Sequence, residues 1–253
     1  MKQYIHSYER DLVRRLAWLE STTEISKENK ELILKFYTYN KLNGLSVPRL
    51  IKHFDTLKLT CLQVKKNLCE VTKQDYEAFI LYLMEKKLAK ATVWTYMEIL
   101  KVFHRWLNNG EAPGCVKWMK CTGKKNKKLP ETLLTQEDVK LLLQHTANVR
   151  DKALVAILWD SGARIGEIGG MSIKDVAFDE FGCKIMVDGK TGMRRIRLVN
   201  SSGALLDWIN QHPHRDNPEY PLWINIGDNY GDRIFDFRLV GVVGLAFGRL
   251  ACL

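Results

Sequence analysis

An arginine, a glutamate three positions later and a lysine in a glycine-rich turn are the residues of this chain best placed to do chemistry. The stretch WDSGARIGEIGG (residues 159–170) sets a permanent cation, Arg164, among Ala163, Ile165 and Ile168, residue types that favour a dry core. An interior guanidinium with Glu167 one helical turn on has two readings. One is a buried ion pair with a purely structural role. The other takes in Lys190, which stands in the turn DGKTG (188–192) of a strand-like run downstream. A sheltered arginine and a lysine at the head of a hairpin suit phosphoryl chemistry. The guanidinium would stabilise charge gathering on a phosphate, and the ammonium would give a proton to a departing hydroxyl.

Such residues need elements to hold them, and the second half of the chain supplies a plan. Thr135-Gln-Glu-Asp138 has capping-box spacing and introduces a helix bearing Val139, Leu141, Leu142 and Leu143. The apolar run Ala153–Trp159 lies in a helix expected from about residue 150 to 159 and stopped by Gly162. Arg164 then falls inside a further helix. FGCKIMVDGKTGMRRIRLV (181–199) alternates on both sides of its glycine-rich turn and predicts a β-hairpin with Lys190 at or beside the tip. Residues 201–211 predict a short helix ended by His212-Pro213, and Leu222–Asn225 predicts a strand.

The front of the chain predicts helices only. Leu12, Val13, Leu16 and Leu19 recur at helical spacing; Ser26, Ser46 followed by Pro48, the Thr72–Asp75 box and Thr92 open four more helices. The expected organisation is an all-α domain over residues 1–110, a basic linker over 111–131 and an α+β domain over 132–253. The linker expectation rests on Lys117, Lys120, Lys124, Lys125, Lys127 and Lys128, a run that is either a solvated tether or a strap along a phosphate backbone.

Composition narrows the partners. The chain has 39 Lys and Arg against 29 Asp and Glu, net +10, which favours a polyanion such as nucleic acid. Six cysteines show neither a CxxC pair nor zinc-finger spacing, so reduced thiols and no metal or other cofactor are expected. The longest apolar run falls short of a bilayer span and the first ten residues lack a signal-peptide core; a cytoplasmic protein with no membrane partner and no small-molecule substrate is the expectation.

Three segments together resemble one family. SGARIGEI is similar to the first arginine box of the tyrosine recombinases, the phage-integrase family (TGLRxSEL), and DGKTGMRRIRLV resembles that family's hairpin-lysine motif (GKxxKxRxVPL). LPETLLTQEDVKLLL resembles the entry into the family's catalytic domain, and a helical front half on a basic linker matches its SAM-like core-binding domain. The resemblance implies that Arg164 contacts the scissile phosphate, Glu167 supports it, and Lys190 is the general acid toward a leaving 5′-hydroxyl. It implies double-stranded DNA as partner, with the six linker lysines and Arg194 as contacts, and allows self-association on DNA. In the family a tyrosine forms a 3′-phosphotyrosyl link that stores the bond energy.

The family's later boxes, an HxxR, a His or Trp and the nucleophilic tyrosine, are expected after Trp223. The sequence there reads RIFDFRLVGVVGLAFGRLACL (233–253) and holds none of them. His212-Pro-His-Arg215 satisfies HxxR in letters, but it stands too early and Pro213 makes it a helix exit. Tyr220 and Tyr230 also come too early, in turn-rich sequence. Two accounts fit: an incomplete or frame-shifted catalytic domain that does not cut by itself, or a DNA-binding module that occupies a recombination site as regulator or competitor.

Overall fold

Hydroxyl and amide side chains start the helices where the sequence places them. In the computed structural model, which describes residues 8–121, 134–189, 192–227, 230–232 and 234, the Ser26 hydroxyl accepts from the Asn29 N–H at 3.3 Å. Thr72 and Asp75 exchange hydrogen bonds at 3.3 and 2.9 Å, and Thr135 and Asp138 do so at 3.2 and 2.8 Å, so both capping boxes form. The chain divides into two compact units with described residues 8–121 and 134–234.

The first unit is helical throughout: α1 (Tyr8–Ser21), α2 (Lys27–Leu42), α3 (Val47–Val64), α4 (Lys73–Glu85), α5 (Lys90–Leu107) and the single turn α6 (Gly114–Lys117). Apolar residues at helical spacing converge on one core, which includes Leu19, Ile33, Phe36, Leu57, Phe79, Leu83, Leu100 and Phe103. A polar pair sits within it: the Tyr76 hydroxyl and His104 Nε2 meet at 2.6 Å, both buried, and burial holds His104 down to about 4. Helix α5 starts at Lys90, two residues before Thr92, because the Ala89 carbonyl takes the first backbone bonds.

The boundary expected at residue 110 is corrected. Val116 and Met119 are fully buried in the first core, and Cys115, Trp118 and Cys121 pack against it. Lysine density made this stretch look like tether, yet two buried apolar residues three apart anchor it, with the Lys101 ammonium donating to the Met119 carbonyl at 3.1 Å. Exposed Lys117 and Lys120 therefore ride on a folded surface.

The second unit carries α7 (Gln136–Gln144), α8 (Val149–Ser161), α9 (Ile165–Gly169), β1 (Val176–Asp179), β2 (Gly182–Gly189), β3 (Gly192–Leu198) and α10 (Ser202–Gln211). The strands form an antiparallel sheet in the order β1-β2-β3; β2 and β3 are the predicted hairpin, and β1 is an added edge strand that its four residues did not announce. Cys183, Ile185 and Val187 of β2 point inward with Leu198, into a core shared with Ala153, Leu154 and Ile157 of α8. Residues 222–225 are not the predicted strand. Leu222, Trp223, Ile224 and Asn225 are buried in succession without alternation; the Trp223 indole N–H donates to the Ile168 carbonyl at 2.8 Å and so ties down the end of α9. No described helix is long and apolar enough to cross a membrane.

Half-buried Asp160, at the end of α8, accepts from the Val199 and Ser201 N–H groups at 3.1 and 3.0 Å and from the Ser201 hydroxyl at 2.9 Å. It joins α8 to the turn that opens α10. Asp160→Ala leaves those donors unpaired, so urea denaturation of the full chain is expected to show a loss of about 1–3 kcal/mol. Asp160→Asn, whose carbonyl still accepts, is expected to recover part of it.

Candidate functional site

The turn that presents Arg164 is built from its neighbours. Gly162 takes a left-handed conformation (φ 57°) that ends α8, and buried Ala163 leads into Arg164, the residue that caps α9. Arg164 thus stands before the helix, not inside it. Its side chain is 72% exposed, which corrects the expectation of a sheltered cation: the dry residues around it are buried and the guanidinium reaches out from them.

Glu167 is the buried member of the site, with a side chain 4% exposed. It sits in the first turn of α9, where Oε2 accepts the Arg164 backbone N–H at 3.0 Å and Oε1 accepts Arg164 Nη1 at 3.0 Å. Arg194 completes the group. Its Nη1 donates to Oε1 at 3.1 Å and its Nη2 to Oε2 at 2.7 Å, a two-pronged grip across the carboxylate. Four N–H donors therefore meet two oxygens that offer about four lone pairs. The Arg194 hydrogen bonds, helped by those from Arg164 and opposed by burial, hold the Glu167 carboxyl down to about 2.

Two guanidiniums against one carboxylate leave one positive charge, and Arg164 presents most of it to solvent: Arg194 is 39% exposed against 72% for Arg164. Among the described residues Arg164 spends one side-chain N–H on the protein, so the rest of its planar fork is available to an oxyanion. The arrangement can bind a phosphate and stabilise charge on it.

The other predicted residues fall as follows. Lys190, Lys124, Lys125, Lys127 and Lys128 lie outside the described residues; Lys117 and Lys120 are exposed on the first unit. Arg194, expected as a DNA contact, has both terminal nitrogens on Glu167, which makes it part of the site's frame. His212 is buried, accepts the His214 N–H on Nδ1 at 3.1 Å and faces the Pro221 carbonyl through Nε2 at 3.2 Å. Those partners assign the proton to Nε2, and burial lowers its pKa despite the Pro221 carbonyl. Both ring nitrogens thus serve the helix exit. The Tyr220 hydroxyl donates to the Gly231 carbonyl at 3.2 Å and its ring stacks on His214 at 3.9 Å; Tyr230 is exposed in a turn.

Sequence reasoning missed Gly189. A Cβ there would meet Glu167 Oε1 at 2.1 Å, so only a glycine lets strand β2 pass the carboxylate. It read as one more turn glycine. Arg194 was recoverable in principle: a register that pairs Gly189 with Gly192 also pairs Val187 with Arg194, and Val187 faces inward.

With this geometry in hand, residues 132–220 match the model of the phage integrase family. The chain is 28% identical to tyrosine recombinase XerC of Natranaerobius thermophilus over 137 residues, 52% of this chain and 45% of that one. It is 25% identical to tyrosine recombinase XerA of Pyrococcus horikoshii over 215 residues, 81% of this chain and 68% of that one. The match thus spans less than half the length of the first relative and about two thirds of the second. Among solved structures the chain is similar to a lambda integrase tetramer bound to a Holliday junction (TM-score 0.68, 11% identity, 85% of this chain and 62% of that chain). It also resembles XerH site-specific recombinase bound to difH substrate (TM-score 0.56, 16% identity, 97% and 81%). At these identities the structural likeness is one of fold.

Two outcomes follow for the shared carboxylate. Gly189→Ala forces Glu167 aside and is expected to cost about 1–3 kcal/mol in urea denaturation, as overpacking does. Glu167 has a folded pKa of about 2 below the ordinary 4.5, so its contribution is whole above 4.5 and drains away as pH falls toward 2. The urea midpoint of Glu167→Gln, followed over that window, is expected to lack this acid limb.

Proposed function

Since the chain belongs to the phage integrase family of tyrosine recombinases, we propose that it binds duplex DNA and sets Arg164 against a backbone phosphate, the charge-stabilising half of site-specific DNA recombination. One observation carries this reading: a 72% exposed guanidinium is fixed on a buried carboxylate that a second arginine has already satisfied, leaving a net positive charge facing solvent. The net charge of +10 supplies the long-range attraction for the same polyanion.

In this reading the first unit is the core-binding, SAM-like domain and the second the catalytic-type domain. Lys117, Lys120, Lys124, Lys125, Lys127 and Lys128 neutralise backbone phosphates, the first two from a folded surface. Glu167 holds the arginine turn. Lys190, next in the chain after the Gly189 that abuts Glu167, donates the proton to a departing 5′-hydroxyl.

Strand cleavage also needs a nucleophile. Tyr220 is engaged by the Gly231 carbonyl and by His214, an observation that favours a second reading: a DNA-binding module that occupies a recombination site without cutting it. The two readings share their DNA contacts and part at the chemistry.

A pool of nicked duplexes of random sequence separates them. A covalent protein–DNA adduct on a denaturing gel, abolished by Arg164→Ala while duplex affinity is largely kept, supports cleavage. Salt-dependent binding with no adduct supports the module, and absence of duplex binding at low salt overturns both. Replacing Lys124, Lys125, Lys127 and Lys128 by alanine is expected to flatten the dependence of log affinity on log salt by up to roughly one unit for each phosphate no longer neutralised. An unchanged slope would make that run a tether.

A further inference from the structure

We propose that Arg194 is a positioning residue for Arg164: by satisfying the buried Glu167 carboxylate it keeps the Arg164 guanidinium available to an oxyanion. This rests on the phosphate-binding reading of Arg164 and assigns its control to a residue of strand β3.

Donors compete for the Glu167 carboxylate. Glu167 is a buried anion, and a buried anion recruits every N–H within reach. Arg194 fills one lone pair on each oxygen, at 3.1 and 2.7 Å. Arg164 contributes its backbone N–H to Oε2 and a single guanidinium N–H to Oε1, both at 3.0 Å. With Arg194 in place the carboxylate has nothing more to gain from Arg164, whose side chain stays 72% exposed. Without it, half of the acceptor sites fall vacant on a side chain only 4% exposed, where water cannot replace them. Arg164, three residues away and already bonded to both oxygens, has guanidinium donors left to give. Its fork would close over both oxygens, and two-pronged guanidinium–carboxylate pairs outlast single hydrogen bonds. The cation meant for a phosphate would then be spent on its own neighbour.

The arrangement also explains why an arginine stands at position 194. A lysine there would balance the charge but could not span both oxygens. The β2–β3 register fixes the direction, since Arg194 lies opposite Val187, whose side chain is fully buried.

Arginine-selective modification of the full chain by phenylglyoxal, mapped by mass spectrometry, tests this without any need for DNA cleavage. Arg215, 56% exposed on the same unit, serves as internal reference. Relative to it, Arg194→Ala is expected to slow modification of Arg164 by roughly tenfold, the equilibrium factor of one added charge-assisted hydrogen bond. Arg194→Lys, which fills only one of the two vacated acceptors, is expected to fall between the wild-type and Arg194→Ala rates. Adding Glu167→Gln to Arg194→Ala is expected to restore the wild-type rate, a suppression that a merely structural role would not produce. Unchanged or faster modification in Arg194→Ala, or a double variant that stays slow, overturns the proposal. An Arg194→Ala chain that simply unfolds would show the faster rate and is counted against it. Protection of Arg164 by duplex DNA in the wild-type chain is read separately: its absence overturns the phosphate reading, while the Arg194 series still decides the coupling.

Discussion

A carboxylate taken out of water and shared between two guanidiniums is the interaction on which the second unit's functional surface depends. An unpaired anion at 4% exposure would be prohibitive, and Glu167 is tolerable there because its lone pairs are filled by Arg164 and Arg194. That requirement reaches outward. Gly162 must end α8 so that Arg164 can cap α9, Gly189 must lack a side chain so that β2 can pass the carboxylate, and β3 must hold the register that aims Arg194 inward. Trp223 holds the far end of α9 through the Ile168 carbonyl. Five short segments are thus set by one buried charge.

Electrostatics divide this chain into charges that are consumed and charges that are offered. Arg194 is consumed by Glu167, Arg150 by Asp151 and the Ile224 carbonyl, and Arg197 and Lys184 by Asp179. Arg164, Lys117 and Lys120 stay exposed. Counting basic residues therefore overstates what a polyanion would meet. The placement of Lys117 and Lys120 on the packed stretch after α5 matters equally, because charges held by a folded surface define a direction, whereas those on a tether only raise the local attraction.

Helices and their starts were the most legible part of the sequence. Capping needs only two residues three apart, as at Thr72–Asp75 and Thr135–Asp138, and burial along one helix needs only a 3.6-residue period. The hairpin was legible for the same reason, since alternation and a glycine-rich turn are local. Three readings failed where a local signal had a non-local answer. Lysine density hid the anchoring of Val116 and Met119, the apolar quartet at 222–225 met a core on all sides instead of a sheet edge, and β1 carried too few residues to register.

By itself the sequence determined that a glutamate follows an arginine by three residues, that a lysine lies among glycines in an alternating run downstream, and that the chain is basic. Those facts follow from chain connectivity and short-range geometry. Only the tertiary structure decided that the glutamate is buried while the arginine is not, that Arg194 belongs to the carboxylate, and that Gly189 is a steric necessity. Each depends on segments more than twenty residues apart meeting within hydrogen-bond distance, and burial of a charge is defined by everything that surrounds it, not by its neighbours along the chain.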